Sequence, residues 1–143
     1  MRYPDVLDAS GVGTYPAETL AGGGFVWVAV LEYRVWCHPV PGAPNEAHGN
    51  DYFCAFATYA KALAFSRATK GAEKPLALIL QREYIDEPQP GQYVHVKKER
   101  IAEWRVEFLS RPKRTPHTIP DFFSPKAPGN RLDILRGLAT RSD

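Results

Sequence analysis

Residues 102–109 read AEWRVEFL, an alternation that puts Glu103, Arg105 and Glu107 on one side and Trp104, Val106 and Phe108 on the other, the period of a half-buried strand. The polar row is either a solvated face, with its carboxylates partnering Arg105 or basic neighbours across the strand, or it holds a glutamate that does chemistry. A second candidate, His38, ends the aromatic run YRVWCHP. It is a hydrogen-bonded structural residue or a ligand-holding imidazole. The remaining histidines, His48, His95 and His117, show no HxH or HxxxH spacing and there is no CxxC pair, so no metal site is expected. Neither Ser66 nor Ser110 sits in a GxSxG elbow, and Gly22–Gly24 precede a strand-like run where a phosphate-binding loop would precede a helix. The densest basic stretch, from Lys97 through Arg105 to Arg114, is interrupted by Glu99, Glu103 and Glu107. It reads as a charged edge strand ahead of a nucleic-acid stripe.

These residues need elements to position them. Residues 25–39, FVWVAVLEYRVWCHP, have the β-branched and aromatic content of a long central strand stopped by Pro39. A turn-rich loop follows, then a short strand, DYFCAF. Thr58 is placed to cap a helix over Tyr59 to Arg67, with Ala60, Leu63 and Ala64 as its apolar stripe. PLALILQREYI predicts one buried strand, IDEPQPGQ a turn, QYVHV a short strand, KKERI a connection and AEWRVEFL the last strand. From Arg111 the prolines forbid sheet interior or a long helix. That segment reads as an extended cover pinned by Ile119, Phe122 and Phe123. Leu132, Leu135 and Leu138 then predict a short C-terminal helix.

Length and charge bound the reading. With 143 residues, 44% hydrophobic and 12% aromatic, the expectation is a single compact α+β domain with a mixed or antiparallel sheet, one main helix and a short C-terminal helix. Residues 1–24 form an arm, 25–110 the core and 111–143 the Pro-rich wrapping segment. A formal charge of +2 demands no polyanionic partner, and no apolar run approaches the roughly 20 residues of a membrane helix. Cys37 and Cys54 lie in apolar strand-like surroundings, and the opening residues are unlike a signal sequence. A cytoplasmic protein without membrane attachment is the expectation.

Taken in order, a strand ending in His38, a Gly-bearing loop, GNDYFCAFATYAKALAFS with its capped helix, the run PLALILQREYI and the strand opened by Glu103-Trp104-Arg105-Val106 resemble the ADP-ribosyltransferase superfamily, in its poly(ADP-ribose) polymerase-like branch. The likeness spans about residues 31–110. It implies a fold of that type with NAD as substrate. Glu103 would be the catalytic carboxylate and His38 would hold the adenosine-side ribose. Arg34, Tyr52, Tyr59 and Phe65 would contact the nucleotide, the aromatics stacking on nicotinamide. Cleaving the nicotinamide–ribose bond passes through an oxocarbenium-like state, which suits an aromatic clamp and a carboxylate that holds the ribose and activates the nucleophile. The acceptor would be a protein, a nucleic acid or a small molecule. Tyr52 and Phe65 are also what an ordinary aromatic core requires. Two further readings stay open: an inactive nucleotide- or protein-binding module on the same scaffold, and an acyl-CoA-dependent N-acetyltransferase, whose pyrophosphate loop is not found in ATKGAEKP or DEPQPGQY.

Overall fold

In the computed structural model, residues 2–21 and 23–139 are described, the side chain of Ala21 excepted. Met1 and Gly22 of the expected arm, and residues 140–143 of the expected wrapping segment, lie outside the described residues. The chain runs β1 (Leu20–Ala21), β2 (Ala29–Cys37), β3 (Tyr52–Phe56), α1 (Tyr59–Ala68), β4 (Leu76–Gln81), β5 (Tyr84–Gln89), β6 (Gln92–Val96), β7 (Arg100–Arg105), α2 (Thr118–Phe123) and α3 (Arg131–Leu135). No helix among the described residues is long and apolar enough to cross a membrane.

The α+β class stands, with five strands in the order β1-β7-β4-β2-β3 and a separate β5–β6 ribbon. Only β1 runs parallel to its neighbour, pairing Leu20–Ala21 with Ala102–Glu103 on β7. β2 and β4 are central and buried on both faces; β4 is accordingly an almost unbroken apolar run, whereas β2 carries the buried charges Glu32 and Arg34. On one face Tyr33, Val35, Ile79 and Trp104 meet Ala62 of α1 in the main core. The opposite face carries Leu78 and Leu80, with Tyr15 and Ile101 packed on them.

Several boundaries differ from the sequence reading. PLALILQREYI is two strands, because Gln81 and Glu83 make side-chain bonds that turn the chain out of the sheet: Gln81 Nε2 donates to the Gly23 carbonyl at 3.2 Å, and Glu83 accepts from Arg114 at 2.5 Å. IDEPQ then lies in β5, and the turn falls on Pro90-Gly91, with Gly91 at φ 78°. Pro88 is accommodated at the irregularity between Asp86 and Gln89. Arg100 and Ile101 belong to β7, and AEWRVEFL leaves the strand at Arg105: Val106–Ser110 is a 3-10 turn that buries Val106 and Leu109 at its three-residue period. Glu107 is therefore not on the strand.

Thr58 caps α1, its hydroxyl accepting from the Lys61 N–H at 3.2 Å. The buried stripe is Tyr59–Ala62–Phe65, an i, i+3 series, while Ala60 and Ala64 are exposed. In the C-terminal segment Ile119 and Phe122 are buried as expected, but Phe123 is 38% exposed and Leu138 73% exposed. Phe123 closes α2 with its ring against Phe122 and His95, so one side of it stays open, and Leu138 lies beyond α3, which ends at Leu135.

Candidate functional site

Alternation along β2 puts Glu32, Arg34 and Trp36 on the face away from α1. Arg34 is fully buried and lies over the Phe53 ring, its guanidinium carbon 4.2 Å from the centroid. Its Nε donates to Glu32 Oε2 at 2.7 Å, Nη1 to Glu103 Oε2 at 3.1 Å, and Nη2 to the Pro16 carbonyl at 2.6 Å. The second oxygen of Glu32, also wholly buried, accepts from the Gly13 N–H at 2.8 Å. Burying charges costs several kcal/mol per ion unless every donor and acceptor is met. Here strand alternation supplies the charges and the N-terminal arm supplies the missing partners.

Glu103 is brought to this face by the register Glu32↔Leu78↔Glu103 across β2, β4 and β7. Its Oε2 also accepts from Trp36 Nε1 at 2.8 Å, so an arginine and an indole fix one carboxylate oxygen. Among the described residues Oε1 has no hydrogen-bond partner, and the side chain keeps 17% of its surface exposed. Trp36 and Phe53 stand beside it as a tilted pair, ring centroids 5.1 Å apart.

His38 follows the end of β2, six residues beyond Glu32, the β2 residue that stands level with Glu103. Nδ1 lies 2.9 Å from Asp51 and Nε2 2.5 Å from Glu73, and the ring is 30% exposed. Hydrogen bonds from Glu73 first and Asp51 second raise its pKa above the ordinary value. The backbone is anchored as well: the His38 N–H donates to the Gly71 carbonyl at 2.9 Å, and the Ala43 N–H to the His38 carbonyl at 3.0 Å. Although His38, Asp51 and Glu73 are ligand types, no group of three such residues among the described ones is arranged to hold a metal ion.

The structure divides the residues singled out in the sequence. Arg34 and Glu103 are in direct contact, and Glu73, which holds His38, donates its N–H to the Trp36 carbonyl at 2.8 Å. Tyr52, Tyr59 and Phe65 are on the other face. Tyr52 pairs with Cys37 and donates its hydroxyl to Pro44. Tyr59 packs against Tyr3 and Tyr33, and Phe65 against Phe56. Those three are core aromatics in this structure, and the register Trp36↔Phe53 makes Phe53 the ring that shares a face with Glu103. Trp36 was legible in principle, two residues from Arg34 on one strand. Phe53 and Glu32 were not, since the β2–β3 register and the arm's course decide their surroundings.

Beside the site, a cavity of about 430 Å³ opens at the strand ends, lined by residues 72–76 and by Arg105, Val106 and Glu107. Lys74 and Arg105 bring positive charge to it, Glu73 and Glu107 negative charge. The arrangement as a whole offers one oriented carboxylate, two partly exposed rings and an imidazole held between acids. No protein-family model matches the chain, and neither a curated protein nor a solved structure matches it.

Proposed function

We propose that the chain is an NAD-consuming enzyme of the ADP-ribosyltransferase kind, with Glu103 as its catalytic carboxylate. The observation that carries this reading is the asymmetric hold on Glu103: Oε2 is fixed by Arg34 and Trp36 while Oε1 is uncommitted among the described residues. A carboxylate fixed in this way needs little reorganisation to face a developing positive charge. Nicotinamide stacks on Phe53 or Trp36 in this scheme, replacing the Tyr52, Tyr59 and Phe65 roles implied by the resemblance. Glu103 Oε1 accepts a hydrogen bond from a ribose hydroxyl and draws the proton from the incoming nucleophile. The C–N bond breaks with its electron pair passing to the nicotinamide nitrogen, and the nucleophile bonds to the ribose carbon. His38 orients the second ribose by exchanging its bond to Asp51 or to Glu73 for one to a ribose hydroxyl. Arg34 acts from beneath as a positioning residue.

The experiment is incubation of the protein with NAD and separation of the products. Release of nicotinamide with ADP-ribose, and a KM raised several-fold in Phe53→Ala, is the expected result; intact NAD after prolonged incubation removes the enzyme reading.

Pro39 favours a second reading, a binding module without turnover. It follows His38 directly and has no N–H to offer a nicotinamide amide. Saturable NAD binding with no product would select it.

A further inference from the structure

Beyond the sheet, the segment after Arg111 folds around a cavity of about 400 Å³, a volume within the range of small-molecule sites. It shares no lining residue with the Glu103 face. Phe122 and Leu135, 3% and 5% exposed, belong to the second hydrophobic cluster and form its floor. Pro112, Pro128 and Ile134 extend the apolar wall.

The polar groups at this cavity are of one dominant sign. Lys113 lies 5.3 Å from the Trp27 ring centroid and has no ion-pair partner among the described residues. Arg131 is tethered through Nη1 to the Phe122 carbonyl at 2.7 Å, with its guanidinium carbon 4.3 Å from the Phe122 centroid. That tether holds a cation at the wall and leaves its other N–H groups without a hydrogen-bond partner among the described residues. The Thr115 and Thr118 hydroxyls, 3.1 Å apart, add a neutral polar edge. Asp121 is the single carboxylate of the lining among the described residues and is already engaged.

We propose that this cavity binds a small amphipathic monocarboxylate, its apolar body against Phe122, Ile134 and Leu135 and its carboxylate between Lys113 and Arg131. An apolar wall rewards burial of a hydrocarbon or ring. Two cations against one occupied acid select an anion, and a guanidinium held in place recognises a carboxylate with little loss of freedom.

The test uses the full chain and three probes of one shape: phenylpropionate, phenylpropanol and phenylpropylamine. Titration followed by amide chemical shifts and by calorimetry is expected to show saturable one-to-one binding of the acid, with shifts at Thr115, Thr118, Phe122 and Ile134. The alcohol binds more weakly and the amine least. Lys113→Gln, an exposed change that leaves the fold intact, weakens the acid roughly tenfold. Ile134→Trp fills the cavity and abolishes binding. Equal binding of acid and amine, shifts located elsewhere, an unaffected Lys113→Gln, or no saturation at millimolar acid each overturns the proposal.

Discussion

Arg34 bears on the covered polar face more than any other single residue, because two carboxylates and two arm carbonyls converge on it. Removing it leaves Glu32 buried without its counter-charge, so Arg34→Ala is expected to cost about 3–5 kcal/mol in urea unfolding. Arg34→Ala with Glu32→Ala together is expected to cost less than the sum of the two single changes, and strict additivity would deny that they act as a unit. His38 makes a pH-dependent contribution of known sign. Its folded pKa is raised by Glu73 and Asp51 above 6.5, so its stabilisation is complete below that value and is lost as pH climbs through the higher folded one. The urea midpoints of wild type and His38→Gln are accordingly expected to differ at about pH 6 and to converge by about pH 9. A constant difference would contradict the assignment. Glu103 could be read from sequence as a strand carboxylate; that Trp36 would hold it could not, because the contact crosses β4 and depends on a register that local pattern leaves open.

At the scale of elements, the joint between α1 and the loop after β2 decides where His38 sits. Gly71 follows the helix at φ 77°, and a Cβ there would come within 2.5 Å of the Ala43 nitrogen and of the His38 carbonyl oxygen. Gly71→Ala is therefore expected to cost about 1–3 kcal/mol from backbone strain, with the backbone contact adding to it. It should also move the His38 imidazole resonances, and an unperturbed His38 would show that the joint is not what positions it. By comparison Thr58→Ala loses only the cap bond to Lys61 and is expected to cost about 1 kcal/mol in thermal or urea unfolding. Both ends of α1 were legible to within one residue, and the Thr58 cap is a local signal. Its buried stripe was not: Tyr59, Ala62 and Phe65 are fixed by the β2 and β3 side chains beneath them. For the same reason PLALILQREYI read as one strand, its apolar run continuing across a break made by long-range bonds of Gln81 and Glu83.

For the whole molecule, the two non-core segments are integral covers. The arm contributes the Gly13 N–H and the Pro16 and Ala17 carbonyls to the buried charges, and its Leu7 N–H donates to the Val30 carbonyl at 2.8 Å. The segment after Arg111 buries Ile119 and Phe122, so limited proteolysis is expected to spare the chain between Pro120 and Pro128 in the folded protein; rapid cleavage there would mean that the segment is not docked. The fold class followed from strand and helix patterns, whereas the arm's role did not, because its Gly- and Pro-rich sequence has no period from which a destination could be read. What remains central is whether the carboxylate set between Arg34 and Trp36 is there for chemistry. The most direct measurement is nicotinamide release from NAD by wild type and by Glu103→Gln, with NAD binding followed in both by calorimetry. Wild type is expected to release nicotinamide, and Glu103→Gln to bind NAD yet turn it over roughly a hundredfold or more slowly. Equal turnover by the two proteins, or no turnover by either, would contradict the account.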